Sequence, residues 1–242
     1  MTPPLVLLHP FPFDSTFWDP VVAGLPGVDV TTVDAPGFGG RPVPTGWQIS
    51  DWADDVAEHI AGLPGGSAVV CGLSMGGYAA LALVAAHPDR VTGLVLADTR
   101  AEADSEEAKK GRDAGIGKVT TGELAAWADD LLPKLVSPSV DDAIRDSLRT
   151  AMLRQDPSCV AEALRALRDR PDRVGELGDI HVPTLIVIGE DDGVTPLEAA
   201  MTMEAGIPDA RLETIAGAGH LSAAEQPQAF AAALREYLEG LA

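Results

Sequence analysis

Positive charge is scarce in this chain: 17 Lys and Arg stand against 37 Asp and Glu over 242 residues, a formal net charge of −20. That balance works against nucleic acid or an anionic membrane as a partner. Cysteine is nearly missing. Cys71 and Cys159 form no metal or redox spacing, and Cys71, at the end of an apolar run, reads as a buried free thiol. No apolar run approaches the roughly 20 residues that span a bilayer. Met1-Thr2-Pro3-Pro4 lacks the basic region of a secretory signal, so a cytoplasmic location is expected. No glycine-rich loop ends in Gly-Lys-Ser/Thr, and no ligand cluster supports metal catalysis, so neither cofactor nor metal is expected. Gly37-Phe38-Gly39-Gly40 runs into Arg41-Pro42-Val43-Pro44, which cannot open the helix of a dinucleotide loop.

What is present is an alternation of short apolar runs with helical patterns, the signature of a parallel sheet covered on both faces. Strands are expected at Pro4–Leu8, Val28–Asp34, Ser67–Gly72, Gly93–Asp98, Thr184–Gly189 and Arg211–Ile215. Most are continuously apolar, as burial of both faces requires. Helices are expected over Ser50–Leu63, Met75–His87, Pro196–Ala205 and Gln226–Gly240. Ser50 reads as a helix cap, and Thr195-Pro196-Leu197-Glu198 as a capping box. Between Asp98 and Thr184 the alternation stops. Residues 102–178 carry helical, charged patterns (Glu123–Leu132, Asp141–Leu153, Val160–Asp169) and read as a helical cap inserted between two core parts, 1–101 and 179–242.

The strongest chemical signal is Gly72-Leu73-Ser74-Met75-Gly76-Gly77, between the apolar Ala68-Val69-Val70-Cys71 and the helical Tyr78-Ala79-Ala80-Leu81. Strand, sharp turn and helix form the setting of a nucleophile elbow. Side chains two residues either side of the serine would collide, and glycine removes both clashes. A serine nucleophile needs a base. His59, His87 and His181 lie where structural or solvated roles are expected. His220, in Gly217-Ala218-Gly219-His220 after the last strand, is the candidate base, while His9 after the first strand braces its loop.

The acid that orients the imidazole is sought in Gly189-Glu190-Asp191-Asp192-Gly193. The order Ser74, Asp192, His220 favours Asp192, with Asp191 and the strand-end Asp98 as the alternatives. Oxyanion donors are expected at the N–H of Met75 and, because Pro10 has none, at that of Phe11.

These motifs, together with Asp34-Ala35-Pro36-Gly37-Phe38-Gly39 and Gly189–Pro196, resemble the α/β-hydrolase family over nearly the whole chain. The tail Gly219–Pro227 is most similar to small bacterial esterases and 3-oxoadipate enol-lactonases. The resemblance implies a triad of Ser74, Asp192 and His220, with Phe11 and Met75 as the oxyanion hole. It implies hydrolysis of a small carboxylic ester or lactone through an acyl-enzyme. Cofactor-free perhydrolase or haloperoxidase chemistry, or a non-catalytic receptor on the same fold, are the alternatives. Two departures stand out: Pro10 replaces the family's usual glycine, and only eight residues precede His9, so a six-stranded parallel sheet without the family's opening hairpin is expected. Cap arginines, notably Arg165, Arg168 and Arg170, are candidate ligands for a substrate carboxylate, and Trp127 and Met152 candidate pocket walls. No motif bears on oligomeric state.

Overall fold

The computed structural model describes residues 3–241. Six strands form one sheet: β1 (Leu5–Leu8), β2 (Val30–Thr32), β3 (Ala68–Leu73), β4 (Val91–Ala97), β5 (Thr184–Gly189) and β6 (Ala210–Ile215). Their order is β2-β1-β3-β4-β5-β6, and every pairing is parallel. The six-stranded parallel sheet expected from the sequence is met, with β2 at its edge beside β1. β1, β3 and β5 are buried along their whole length, which explains their uninterrupted apolar sequences. β2 is shorter than the Val28–Asp34 run. It is an edge strand, bonded on one side only, and its three residues are half-buried.

The helices are α1 (Asp19–Val22), α2 (Ile49–Ala61), α3 (Met75–Ala86), α4 (Glu106–Thr120), α5 (Leu124–Leu135), α6 (Asp142–Leu153), α7 (Pro157–Asp169), α8 (Leu197–Gly206), α9 (Ser222–Glu225) and α10 (Pro227–Gly240). Among the described residues none is long and apolar enough to cross a membrane. α2 packs on α3, and α1 on α10. Four helices, α4 to α7, fill the chain between β4 and β5, with α4 packed on α7 and α5 on α6.

Two start signals differ from expectation. α2 is capped by Gln48, whose side chain and Asp51 form the reciprocal box, rather than by Ser50. α8 follows Pro196 without any side-chain cap, because Thr195 is engaged elsewhere. α4 has no counterpart in the sequence reading, since Gly111, Gly115 and Gly117 dilute its pattern. Gly115 has a packing reason: a Cβ there would lie 3.0 Å from Trp127 Nε1.

The chain reverses its direction of travel across the sheet between β1 and β3, the place where open parallel sheets form ligand crevices. The loops after those two strands carry Phe11 and Ser74. The site therefore rests on the core layer that β1 anchors. Leu7 is fully buried there, and Leu7→Ala should lower stability by about 2–5 kcal/mol, read from the shift of the urea midpoint at constant m-value.

Candidate active site

Ser74 leaves β3 with φ 52° and ψ −109°, and α3 begins at the next residue. Such a conformation costs a non-glycine residue about 1–3 kcal/mol and persists only where the surroundings enforce it. They do so here. A Cβ on Gly72 would lie 2.1 Å from the Gly76 carbonyl oxygen, and one on Gly76 would lie 2.1 Å from that of Leu8. The elbow is also tied to β4: the Ser74 N–H donates to the Ala97 carbonyl at 2.9 Å, and the Thr99 hydroxyl donates to the Ser74 carbonyl at 2.9 Å.

His220 follows β6 through Gly217, which takes φ 66°. Its side chain is 3% exposed, and that of Asp192 fully buried. Nδ1 lies 2.9 Å from Asp192 Oδ2, and Nε2 lies 2.9 Å from Ser74 Oγ. A carboxylate only accepts, so Nδ1 carries the proton and Nε2 is left to accept the serine's. Burial works against the charge on Asp192. The hydrogen bond and field of His220, with bonds from Thr195, outweigh it and hold the carboxyl below its ordinary range.

Asp192 is oriented from its own loop. Oδ1 accepts the N–H groups of Val194 and Thr195 at 2.8 and 2.9 Å, and the buried Thr195 hydroxyl bonds Oδ2. That hydroxyl also lies 3.2 Å from His220 Nδ1. Thr195 was read as a cap of α8; instead it braces the acid. An aspartate bonding the N–H groups two and three residues on is a turn signal that could have disclosed this.

The other candidate acids lie elsewhere. Asp191 is exposed and accepts the Ser137 hydroxyl at 2.7 Å. Asp98 is buried at the end of β4 with φ 43°. Its Oδ1 accepts the Gly189 N–H at 2.8 Å, and its Oδ2 meets the Ser222 hydroxyl at 2.5 Å. It thus ties the end of β5 to the segment just beyond His220. Burial first, and the charge of Asp192 second, push its carboxyl well above the usual range, against the bonds from Ser222 and Gly189.

His9 is fully buried. Its Nδ1 donates to the Pro10 carbonyl at 3.0 Å, and its Nε2 accepts the Ala35 N–H at 3.0 Å. Both ring nitrogens are occupied in the neutral form, and burial lowers its basicity. Its geometry is that of a brace joining the Phe11 loop to the Asp34–Gly39 turn. Among the described residues neither the Phe11 nor the Met75 N–H has a hydrogen-bond acceptor. The Phe11 ring packs edge-on against Trp127, centroids 5.7 Å apart, while Met152 is fully buried.

The arginines proposed as carboxylate ligands are already paired. Arg165 meets Glu162, Arg168 meets Asp113 and Asp169, and Arg170 is buried against Asp104 beneath the Tyr78 ring.

Asp98 carries a pH test. Its raised folded-state value means that folding favours the proton, so its contribution is complete below the ordinary carboxyl value of 3.8 and is lost as pH rises through the folded value. Asp98→Asn cannot titrate. Its stability relative to the parent should therefore climb with pH above that point, by up to about 1.4 kcal/mol per unit. Urea unfolding across that range reads the slope, and parallel curves would contradict a protonated Asp98.

A model of the Alpha/beta hydrolase family matches residues 5–233. The pimeloyl-[acyl-carrier protein] methyl ester esterase of Aromatoleum aromaticum is 32% identical, over 98% of this chain and 99% of that protein. Among solved structures, a thermophilic esterase from Thermogutta terrifontis, malate bound, superposes with TM-score 0.94 and 34% identity, over 98% of this chain and 90% of that one. The enol-lactonase of Burkholderia xenovorans LB400 follows with TM-score 0.89 and 27% identity, over 99% and 92%. By its sequence, and by its six-stranded parallel sheet, this chain belongs to the α/β-hydrolase family.

Proposed function

We propose that the protein is a serine-dependent hydrolase that cleaves a small carboxylic ester or lactone through an acyl-enzyme. The observation that carries the reading is the unbroken relay from Ser74 Oγ to His220 Nε2 and from Nδ1 to Asp192, both links 2.9 Å long. The named activities of relatives, a methyl ester esterase and an enol-lactonase, support the bond type.

In this reading Oγ attacks the ester carbonyl while its proton passes to Nε2. Charge develops on the carbonyl oxygen, where the N–H groups of Met75 and Phe11 receive it; Met75 opens α3, so the positive end of the helix dipole adds to its pull. Nε2 returns its proton to the departing alkoxide, leaving Ser74 acylated. A water then repeats the sequence: Nε2 takes its proton, the hydroxide carbon–oxygen bond forms, and the acid leaves as Oγ is reprotonated. Asp192 stays ionised throughout and stabilises the imidazolium. We read residues 102–178, with α4 to α7, as the cap that selects substrate, Trp127 forming its wall over Phe11.

Ser74→Ala should abolish turnover of activated esters and labelling by a serine-directed phosphonate. Retained turnover would remove the proposal, and ligand binding without turnover by the parent would favour a receptor. Asp192→Asn should lower kcat by roughly 10,000-fold through loss of the tautomer, while Asp191→Asn should cost far less. For the parent, kcat/KM should fall tenfold per pH unit on the acid side, because a protonated His220 cannot accept. His9→Ala should weaken turnover without moving that limb.

A further inference from the structure

Besides Asp98, another buried acidic side chain stands close to the histidine loop and takes no part in the relay. Glu225 is 6% exposed, and each of its oxygens accepts one backbone N–H. Oε1 takes that of Gly219, the residue before His220, at 3.0 Å. Oε2 takes that of Ser137, in the linker between α5 and α6, at 2.8 Å. One side chain thus joins two segments far apart in sequence.

The same linker is held at further points. The Leu221 N–H donates to the Leu135 carbonyl at 3.1 Å. Gly219 lies so close that a Cβ would sit 2.4 Å from Ser137 N and 2.6 Å from the Val136 carbonyl carbon. The fully buried Ser137 gives its hydroxyl to Asp191, the neighbour of the candidate acid. The linker at residues 135–137 therefore contacts both loops that carry the imidazole and its carboxylate.

We infer that Glu225 is a positioning residue: it clamps the α5–α6 linker to the histidine loop, so that His220 is aligned only while this part of the helical insertion is seated. The inference rests on the hydrolase reading for its catalytic consequence, but not for the clamp itself. Its chemistry explains why a carboxylate is needed. Two N–H donors converge on it from different segments, and only a group with two acceptor oxygens satisfies both. Glutamine keeps the shape but turns an NH2 toward one of the donors, so one segment must let go.

Two measurements on the full chain test this, with Glu225→Gln as the variant. Amide hydrogen exchange should show Ser137 and Gly219 opening together in the parent, and both exchanging at least about tenfold faster in the variant. Independent opening of the two amides would overturn the clamp. Titration with a fluorophosphonate counts reactive Ser74 and gives a rate per site. The count should stay at that of the parent, while the rate per site and kcat for a small ester fall about 10- to 100-fold. Fewer sites reacting at the parental rate would reduce Glu225 to a folding role and overturn the inference. Should Glu225→Gln not fold, Ser137→Ala keeps the N–H and removes the hydroxyl's bonds to Asp191 and, within the linker, to Ser139; it should slow labelling per site to a lesser degree, and an unchanged rate would overturn the coupling of the linker to the site. Failure of the parent to label at all would instead strike the hydrolase reading, and hydrogen exchange would still decide the clamp.

Discussion

The close approach of α3 to the first strand is the constraint on which the rest of the structure depends. Gly76 lies against the carbonyl of Leu8 with no room for a side chain. That contact sets how tightly the chain turns at Ser74, and so how far Oγ projects beyond the sheet edge. Leu8 is also the last residue before the loop of His9 and Phe11. One packing distance therefore fixes the proposed nucleophile and the expected oxyanion donors relative to each other. The strain at Ser74 is held by bonds from β4, the strand on the other side. Precision in such a site comes from rigid elements rather than from the loops that display the side chains.

Charge is arranged with similar economy. Two buried carboxyl groups, Asp98 and Asp192, lie near enough to affect one another. Both cannot ionise cheaply in a medium of low polarity. The one with the imidazole and three donors from its own turn keeps its charge. The other, buried and facing that charge, is pushed well above the usual carboxyl range and ties β5 to Ser222. Two aspartates beyond the ends of adjacent strands are thus pushed in opposite directions.

Much of this was legible in the sequence, for physical reasons that also explain the failures. Continuous apolar runs disclosed β1, β3 and β5 because their residues are buried on both faces; the edge strand β2 was overestimated, since the half-buried residues beyond its ends look the same in sequence. The glycines around Ser74 declared the elbow because no other residue fits. Asp191 and Asp192 could be told apart only by family order, as neighbouring loop carboxylates differ in direction and not in pattern. α4 was invisible because three glycines weaken its helical pattern, and only one of them, Gly115, has a packing reason, against Trp127. The partners of Ser137, Glu225 and Thr195 were unreadable or misread, since a hydrogen bond between distant segments leaves no periodicity. The pairing of the arginines was equally unreadable: an abundance of cations says nothing of the carboxylates already holding them.

The placement of α4 to α7 between β4 and β5 has a consequence for how the chain acquires its shape. Strands β1 to β4 lie within the first 97 residues and can pair with one another, whereas β5 begins only at Thr184. During synthesis the unpaired edge of β4 must wait for four helices to emerge before its partner arrives. Non-local pairing of this kind is slow and leaves an unpaired strand open to intermolecular association. The four helices between β4 and β5 therefore set an interval in which the nascent sheet is vulnerable.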